Sequence, residues 1–201
     1  MSEKIVITSA QRTAVGSLSK SLKNVPAYEL GASVINEVVK KSNLKNDDVD
    51  EVILGQVLTG GTGQNPARQA AIKSGIPKEK AAYLVNQVCG SGIRSVVSGF
   101  QSIKSKDAKI IVAGGQENMS LAPHAIFLRE GKKLGDIEMT DTMIKDGLWD
   151  AFHGYHMGVT AENVAKKFQI TRQEQDKFAL ISHEKALKAQ FEKKFNDEII
   201  N

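Results

Sequence analysis

The segment at residues 82–103 constrains this chain more than any other, because it joins a strand to a helix through a turn that carries the only cysteine. Apolar residues of strand-forming type, among them Tyr83, Leu84 and Val85, precede the turn, a pattern typical of a short buried strand. After the turn, apolar residues recur at three- and four-residue spacing between Ile93 and Ile103, which predicts one face of an α-helix. The sequence therefore predicts a strand, a sharp turn and a helix in direct succession.

Cys89 lies in this turn, next to the predicted N-terminus of the helix. Free backbone N–H groups and the positive end of the helix dipole favour a thiolate at such a place. The flanking Gly90 and Gly92 leave room around the sulfur. These features indicate a cysteine nucleophile. The alternative is a small, inert core residue, as a lone cysteine beside an apolar strand often is, and the spacing Cys-Gly-Ser-Gly does not decide between the two.

Strand and helix patterns alternate along the first 115 residues. The predicted strands cover residues 4–9, 51–57, 82–88 and 108–115. Helices are predicted between them, with Pro26 and Pro66 near the starts of the first two. This alternation predicts an α/β fold with a largely parallel sheet. We expect the helix after Cys89 to be unusually buried in the interior, since its second face carries mostly Ser, Gly and Gln.

The pattern changes at about Gln116. Residues 116–157 contain scattered glycines and methionines without a clear period, yet they are too apolar for a disordered linker, so we expect a large excursion over the sheet. Thr160 is predicted to cap a helix over residues 161–168. The run from Thr171 to Glu174 is a capping box that introduces a long helix.

Composition excludes several function classes. One cysteine rules out an internal disulfide and fits a reducing compartment, and no apolar run approaches the ~18 residues of a membrane span. The net charge is +4, but aromatic residues make up only 5% and no Lys/Arg run is interleaved with them. We therefore expect a cytoplasmic protein with no nucleic-acid or membrane partner, and a phosphorylated small molecule as the ligand.

The histidines suggest no metal site. His153 and His156 have a spacing that would suit a metal, but two ligands make no site. On its own, His156 is interpreted as a structural or surface residue. Paired with Cys89, it would complete a Cys–His couple, so a cysteine hydrolase is one hypothesis, for which the sequence supplies no distance.

Five blocks of this sequence resemble the N-terminal half of biosynthetic-type thiolases, the acetyl-CoA C-acetyltransferases. They lie at residues 12–16, 63–71, 86–92, 114–120 and 156–162, so the resemblance extends over essentially the whole chain. The block around Cys89 and the run Gly-Gly-Gln-Glu-Asn-Met-Ser at 114–120 are highly specific together. The resemblance implies that Cys89 attacks an acyl thioester and carries the acetyl group. It also implies that His156 and Met157 bind the substrate by lining the tunnel for the pantetheine arm of CoA.

The resemblance further implies a layered αβαβα fold, of which this chain holds the N-terminal half. Residues 1–118 would form the α/β core, and residues 119–201 an incomplete loop domain for CoA binding and tetramer formation. The implied substrates are acetyl-CoA and acetoacetyl-CoA, with no separate cofactor and a role in fatty acid metabolism. The implied partners are further copies, in a dimer or tetramer, or a separate C-terminal half.

The sequence departs from the thiolase pattern in one respect. Thiolases are about twice this length, and their second half supplies an Asn-Glu motif, a Gly-His-Pro histidine and a Cys-x-Gly acid/base cysteine. Neither Gly-His-Pro nor Cys-x-Gly occurs here, and there is no second cysteine. Acyl transfer needs a base and fixed oxyanion donors, so we expect acetoacetyl-CoA formation or thiolysis to require a C-terminal half. The alternative is a truncated, non-catalytic thiolase remnant, and a synthase-type condensing enzyme is a weaker one.

Overall fold

The computed structural model of the chain describes residues 4–200 and divides them into two compact units. The first unit extends to Gly147 and includes Ile200, and the second is Leu148–Ile199. The predicted boundary at residue 118 lies within the first unit and stays a prediction about domains.

A three-stranded parallel sheet forms the centre of the first unit. Its strands are β1 (Glu51–Gly55), β2 (Ala81–Val85) and β3 (Ile111–Gly115), in the order β2-β1-β3. The register pairs Gly55 with Val85 on one side and with Gly115 on the other. All three strands therefore end at the same edge of the sheet, and the turn with Cys89 follows β2 at that edge.

Helices cover both faces of this sheet. They are α1 (Ala27–Lys41), α2 (Pro66–Lys73) and α3 (Ser91–Ser105). Val52 and Leu54 of β1 belong to the core formed with α1 and α2. Gly55, on the opposite face, meets the start of α3. Alternate residues of β1 thus serve two layers, and the predicted α/β class with a parallel sheet is confirmed.

Short elements complete the first unit. Two 3₁₀ turns cover Asn46–Asp48 and Met119–Leu121, and β4 (His124–Ala125) pairs with β5 (Thr140–Asp141) in antiparallel fashion. A π-helical segment, Met143–Leu148, ends the long excursion. None of the helices within residues 4–200 is long and apolar enough to cross a membrane.

The second unit contains two helices, α4 (Met157–Lys167) and α5 (Arg172–Phe191). The predicted capping box is confirmed, since Thr171 Oγ1 accepts a hydrogen bond from Glu174 N–H while the Glu174 carboxylate accepts one from Thr171 N–H. The predicted start of the preceding helix, after Thr160, is wrong. The helix begins four residues earlier, at Met157, because the ring of His156 caps it.

Residues 4–9 form no strand in the described structure, contrary to the prediction. Residues 5–9 and β3 are among the segments that line a cavity of about 690 Å³. Sheet pairing requires two strands about 4.8 Å apart, and no ladder hydrogen bond joins this segment to β3 among residues 4–200. The apolar pattern of the segment is therefore present without a strand neighbour.

Candidate functional site

The candidate site is the turn between β2 and α3, where Cys89 lies exposed at the carboxyl edge of the sheet. The helix begins at Ser91, and Gly90 is its N-cap residue. Cys89 therefore precedes the first helical residue by two positions, as the sequence predicts. Within the part of the chain that the structure describes, the thiol is exposed and therefore accessible to a ligand.

Two side chains hold this turn from opposite ends. Asn86 Oδ1 accepts a hydrogen bond of 2.9 Å from Val88 N–H. Ser91 Oγ accepts one of 2.9 Å from Gln87 N–H and donates one of 2.6 Å to Val88 C=O. The peptide groups immediately before Cys89 are thus fixed by side chains as well as by the backbone.

Val88 has a left-handed backbone conformation, with φ at 48°. For a β-branched residue this region is a genuine outlier, and such conformations cost about 1–3 kcal/mol. They persist where the surrounding structure determines them, and they cluster at functional sites. The residue immediately before Cys89 therefore stores backbone strain.

The turn lies very close to the sheet, and glycine permits this. A Cβ added to Gly55 would lie 2.4 Å from the Ser91 carbonyl carbon and 2.6 Å from Gly92 N, which are both backbone atoms. A Cβ on Gly115 would lie 3.4 Å from Gly92 Cα. The ends of β1 and β3 thus form a glycine floor beneath the start of α3.

Helix α3 presents two different faces. Its small residues Ser91, Ser95 and Gly99 are buried against the sheet, and Ser95 Oγ donates to Gly114 C=O at 2.7 Å. Its apolar face is exposed, with Ile93 at 74% and Phe100 at 48%. The expectation of an unusually buried helix is therefore met on one face only, because small side chains, and not large apolar ones, allow the close approach to the sheet.

Glu117 connects the neighbouring loop to the end of β1. Its Oε2 accepts hydrogen bonds from Val57 N–H at 2.8 Å and from Leu58 N–H at 3.2 Å. Its Oε1 is buried and has no partner within residues 4–200. Burial raises the pKa of the Glu117 carboxyl above its ordinary value, against the lowering effect of the N–H groups of Val57, Leu58 and Asn118.

The two residues beside Glu117 hold further segments. Gln116 Nε2 donates to Gln56 Oε1 at 2.8 Å within the core. Asn118 Nδ2 donates to the carbonyls of Leu22 and Val25 at 2.9 and 2.7 Å. The block at 114–120 thus holds the segments around the carboxyl edge of the sheet, through two side-chain amides and the Glu117 carboxylate.

His156 and Met157 belong to the second unit, whereas Cys89 belongs to the first. His156 Nδ1 accepts a hydrogen bond of 3.0 Å from Gly158 N–H, so the proton of the neutral ring resides on Nε2. Both side chains are exposed. His156 therefore offers an N–H donor to a ligand, beside the apolar side chain of Met157.

The described residues hold no group of three or more His, Cys, Asp or Glu side chains arranged for a metal ion. His153 Nδ1 lies 3.0 Å from Asp150 Oδ2. The Asp150 carboxylate also accepts hydrogen bonds from the N–H groups of His153 and Phe152. These N–H donors, His153 first, lower the pKa of Asp150. The ring of His153 is thus engaged in organising the loop that leads to His156.

The family model for the N-terminal domain of thiolases matches residues 5–201 of this chain. The chain belongs to the thiolase family. It is 60% identical over 196 residues to an acetyl-CoA acetyltransferase of Rhizobium meliloti, an alignment that covers 98% of this chain and 50% of the relative. A second acetyl-CoA acetyltransferase, from Paracoccus denitrificans, is 59% identical over 197 residues, with 98% and 50% covered.

The likeness extends to a mammalian relative. The cytosolic acetyl-CoA acetyltransferase of Rattus norvegicus is 49% identical over 199 residues, which cover 99% of this chain and 50% of the rat protein. The chain thus spans about half the length of the curated relatives it matches. Its match to the family's N-terminal domain confirms the resemblance stated from the sequence.

Sequence reasoning placed Cys89 correctly in a strand–turn–helix segment, but it did not single out Asn86, Ser91 or Gly55. The Asn86 signal was available, since an asparagine two residues before a turn amide is typical of an Asx turn. The close approach at Gly55 was not available, because it depends on a contact between residues far apart in sequence.

Proposed function

We propose that this chain supplies the nucleophile of a thiolase reaction, with Cys89 as the residue that carries the acetyl group between CoA thioesters. The observation that supports this most directly is the exposed, sole cysteine on a strained turn at the carboxyl edge of a parallel sheet. Ligands of open α/β sheets bind outside this edge. The acetyl-CoA acetyltransferase names of the relatives give the substrate class.

In the proposed reaction, Cys89 Sγ attacks the carbonyl carbon of acetyl-CoA. A sulfur–carbon bond forms, the bond to the CoA sulfur breaks, and CoA leaves with the proton that the Cys89 thiol gives up. A base then takes a proton from the α-carbon of a second acetyl-CoA, and that carbon attacks the acetyl carbonyl carbon. A carbon–carbon bond forms, the bond between the acetyl carbon and Cys89 Sγ breaks, and the proton returns to Cys89 Sγ, which gives acetoacetyl-CoA and restores the thiol; thiolysis is the reverse. CoA is a substrate here, and the proposal includes no separate cofactor.

Each step develops negative charge on a thioester oxygen, which fixed N–H donors must stabilise. The backbone N–H of Cys89 is one candidate donor at the turn. We propose that the second donor and the base for the α-carbon come from the half of the thiolase that this chain does not contain. Cys89 would then supply the nucleophile and the partner half the proton transfers.

We propose that His156 and Met157 bind the substrate. The Nε2–H of His156 is free to donate to an amide carbonyl such as those of a pantetheine arm, since Nδ1 is occupied by Gly158 N–H. The Met157 side chain would contact the apolar part of the same arm. This role places the two residues with CoA recognition and not with the nucleophile.

The uncovered face of α3 supports a layered αβαβα assembly. Ile93, Val96, Val97 and Phe100 expose apolar surface on this face, and the relatives are about twice as long as this chain. We propose that a C-terminal half covers it. Residues 1–118 would act as the core, residues 119–201 as the loop domain, and the assembly would be a cytoplasmic dimer or tetramer. The alternative, a non-catalytic remnant, predicts that no added half restores activity.

The experiment is thiolysis of acetoacetyl-CoA by the purified chain, alone and after addition of a separately expressed C-terminal half of a close relative. Loss of a positioned acid/base costs about 100- to 10,000-fold, and loss of an oxyanion donor costs a comparable factor. We therefore expect near-background thiolysis from the chain alone and a clear gain on complementation. The Cys89→Ser variant should abolish that gain.

Three results would contradict this proposal. Full thiolysis by the chain alone would show that the acid/base groups lie within these residues. Complementation that is unaffected by Cys89→Ser would remove the nucleophile assignment. Absence of activity with every added half, despite binding between the halves, would favour the remnant.

A further inference from the structure

We propose that Asn86 is a positioning residue for Cys89, which fixes the direction of the thiol for acyl transfer through the backbone of Val88. The inference rests on the proposed function of Cys89. It is carried by the hydrogen bond from Val88 N–H to Asn86 Oδ1 at 2.9 Å and by the left-handed conformation of Val88.

A valine with φ at 48° needs a compensating interaction, because isolated β-branched residues avoid this region. Asn86 provides one by an Asx turn, in which a side-chain oxygen accepts the N–H two residues ahead. The other end of the turn is held by Ser91, whose hydroxyl bonds to both Gln87 and Val88. Asn86 is thus one of two side chains that hold the backbone of Val88. The conformation of Val88 in turn sets the orientation of Cys89.

Ser91 and Asn86 differ in burial, and this difference allows the role of Asn86 to be tested by substitution. Ser91 is 4% exposed and packs against Gly55, so its loss would disturb the join between α3 and the sheet. Asn86 is exposed. Its only other polar contact in the described structure is a donor distance of 3.5 Å to Val57 C=O, at the limit of a hydrogen bond. Removing the Asn86 side chain should therefore free the turn without opening the core.

The consequence for Cys89 is geometric. Without the Asn86 oxygen, Val88 is expected to relax toward the ordinary negative φ region, a rotation of roughly 100° or more. Such a rotation redirects the N–H and the side chain of Cys89 while the thiol remains exposed. Reactions that need a fixed direction of attack and a fixed oxyanion donor should slow down, and simple alkylation should not.

The experiment uses the full chain and two thiol reagents. p-Nitrophenyl acetate acylates Cys89 with release of p-nitrophenolate, and the rate for Cys89→Ser is subtracted. Iodoacetamide measures accessibility of the thiol. The variants are Asn86→Ala, which loses the acceptor, and Asn86→Ser, which keeps a weaker one. The control is Asn46→Ala, which removes the side chain that donates to Ser74 C=O, far from Cys89 in the sequence.

We expect Asn86→Ala to lower the acylation rate about tenfold, the effect of losing about one net hydrogen bond. Alkylation should stay within about twofold, and the urea midpoint of Asn86→Ala should fall no further than that of Asn46→Ala, which loses a part-buried hydrogen bond. Asn86→Ser should recover part of the acylation rate. Since Asn86→Ser also loses the Val57 contact, this recovery assigns the effect to the Val88 N–H.

Wild-type acylation by Asn86→Ala would overturn the inference. An equal fall of acylation and alkylation, or a loss that Asn86→Ser does not relieve, would also overturn it in favour of a general structural role. These outcomes are independent of the CoA-dependent assay above. A failure there leaves the acylation comparison interpretable, and a failure here leaves the nucleophile assignment to be judged by Cys89→Ser in the complemented enzyme.

Discussion

The close approach of the Cys89 turn to the sheet gives a sharp prediction for Gly55→Ala. The added Cβ would lie 2.4 Å from the Ser91 carbonyl carbon and 2.6 Å from Gly92 N. Real Cβ contacts are not this short, and both atoms are backbone at the start of α3, so neither can move by a simple rotation. The first turn of the helix must shift away from β1, or β1 must bend.

The expected cost follows from overpacking. Inserting a methyl group into a well-packed core costs about 1–3 kcal/mol, occasionally more, and the contact here involves backbone on both sides. We therefore expect Gly55→Ala to lower the free energy of unfolding by about 3 kcal/mol. Because the shift occurs beside the turn, the acylation rate of Cys89 should fall as well.

Gly114→Ala is the matched control, since Gly114 lies on β3 directly beside Leu54 of β1. A Cβ at Gly114 meets only Leu54 Cδ2, at an ordinary 3.9 Å. Replacing this strand glycine should change stability by less than about 1 kcal/mol. Urea unfolding followed by circular dichroism measures both variants. Equal midpoints for Gly55→Ala and Gly114→Ala would refute the reasoning about the glycine floor.

Three further predictions concern titration and the exposed face of α3. The Asp50 carboxylate has a lowered pKa, chiefly because Lys109 N–H donates to it. Its stabilisation is therefore present above its unfolded pKa of about 3.9 and is lost as the pH falls through the lower folded value. The urea midpoints of wild type and Asp50→Asn should differ at pH 7 and converge once the pH falls below that folded value. Burial raises the pKa of the Glu117 carboxyl. The free energy of unfolding of the wild type should therefore decline as the pH rises from the unfolded pKa of about 4.3 through the higher folded value. The Glu117→Gln variant should lose this part of the pH dependence. Phe100→Ser, at a side chain 48% exposed, should cost less stability in urea unfolding than Ile35→Ala, which removes a side chain only 2% exposed and should cost about 2–5 kcal/mol.

The sequence allowed the main strand–helix alternation to be predicted because each element carries its own periodicity. The apolar run at Val52 and Leu54 and the capping box at Thr171 are local patterns, and both elements are present. The segment at residues 4–9 has an equally good strand pattern but forms no strand. A strand requires a neighbour as well as a pattern, and the pattern alone does not report whether that neighbour is present.

The candidate site was predicted only in part, for a related reason. The position of Cys89 between a strand and a helix follows from local sequence. The closeness of Gly55 to Ser91 arises where the turn meets the end of β1. Such contacts join residues far apart in sequence, and single-residue propensities do not contain them.

The two faces of helix α3 have different surroundings. Its small residues lie close to the sheet, as Gly99 does beside the side chains of Ile111 and Ala113. Its large apolar residues, Ile93 and Phe100 among them, project away from this contact and stay exposed. Full burial of one such side chain is worth about 1.5–3 kcal/mol, so a layer that covered several of them would gain several kilocalories per mole. We therefore expect a C-terminal half to bind α3 as part of a shared core, close enough to the Cys89 turn to supply groups to it, and not as a loosely attached domain.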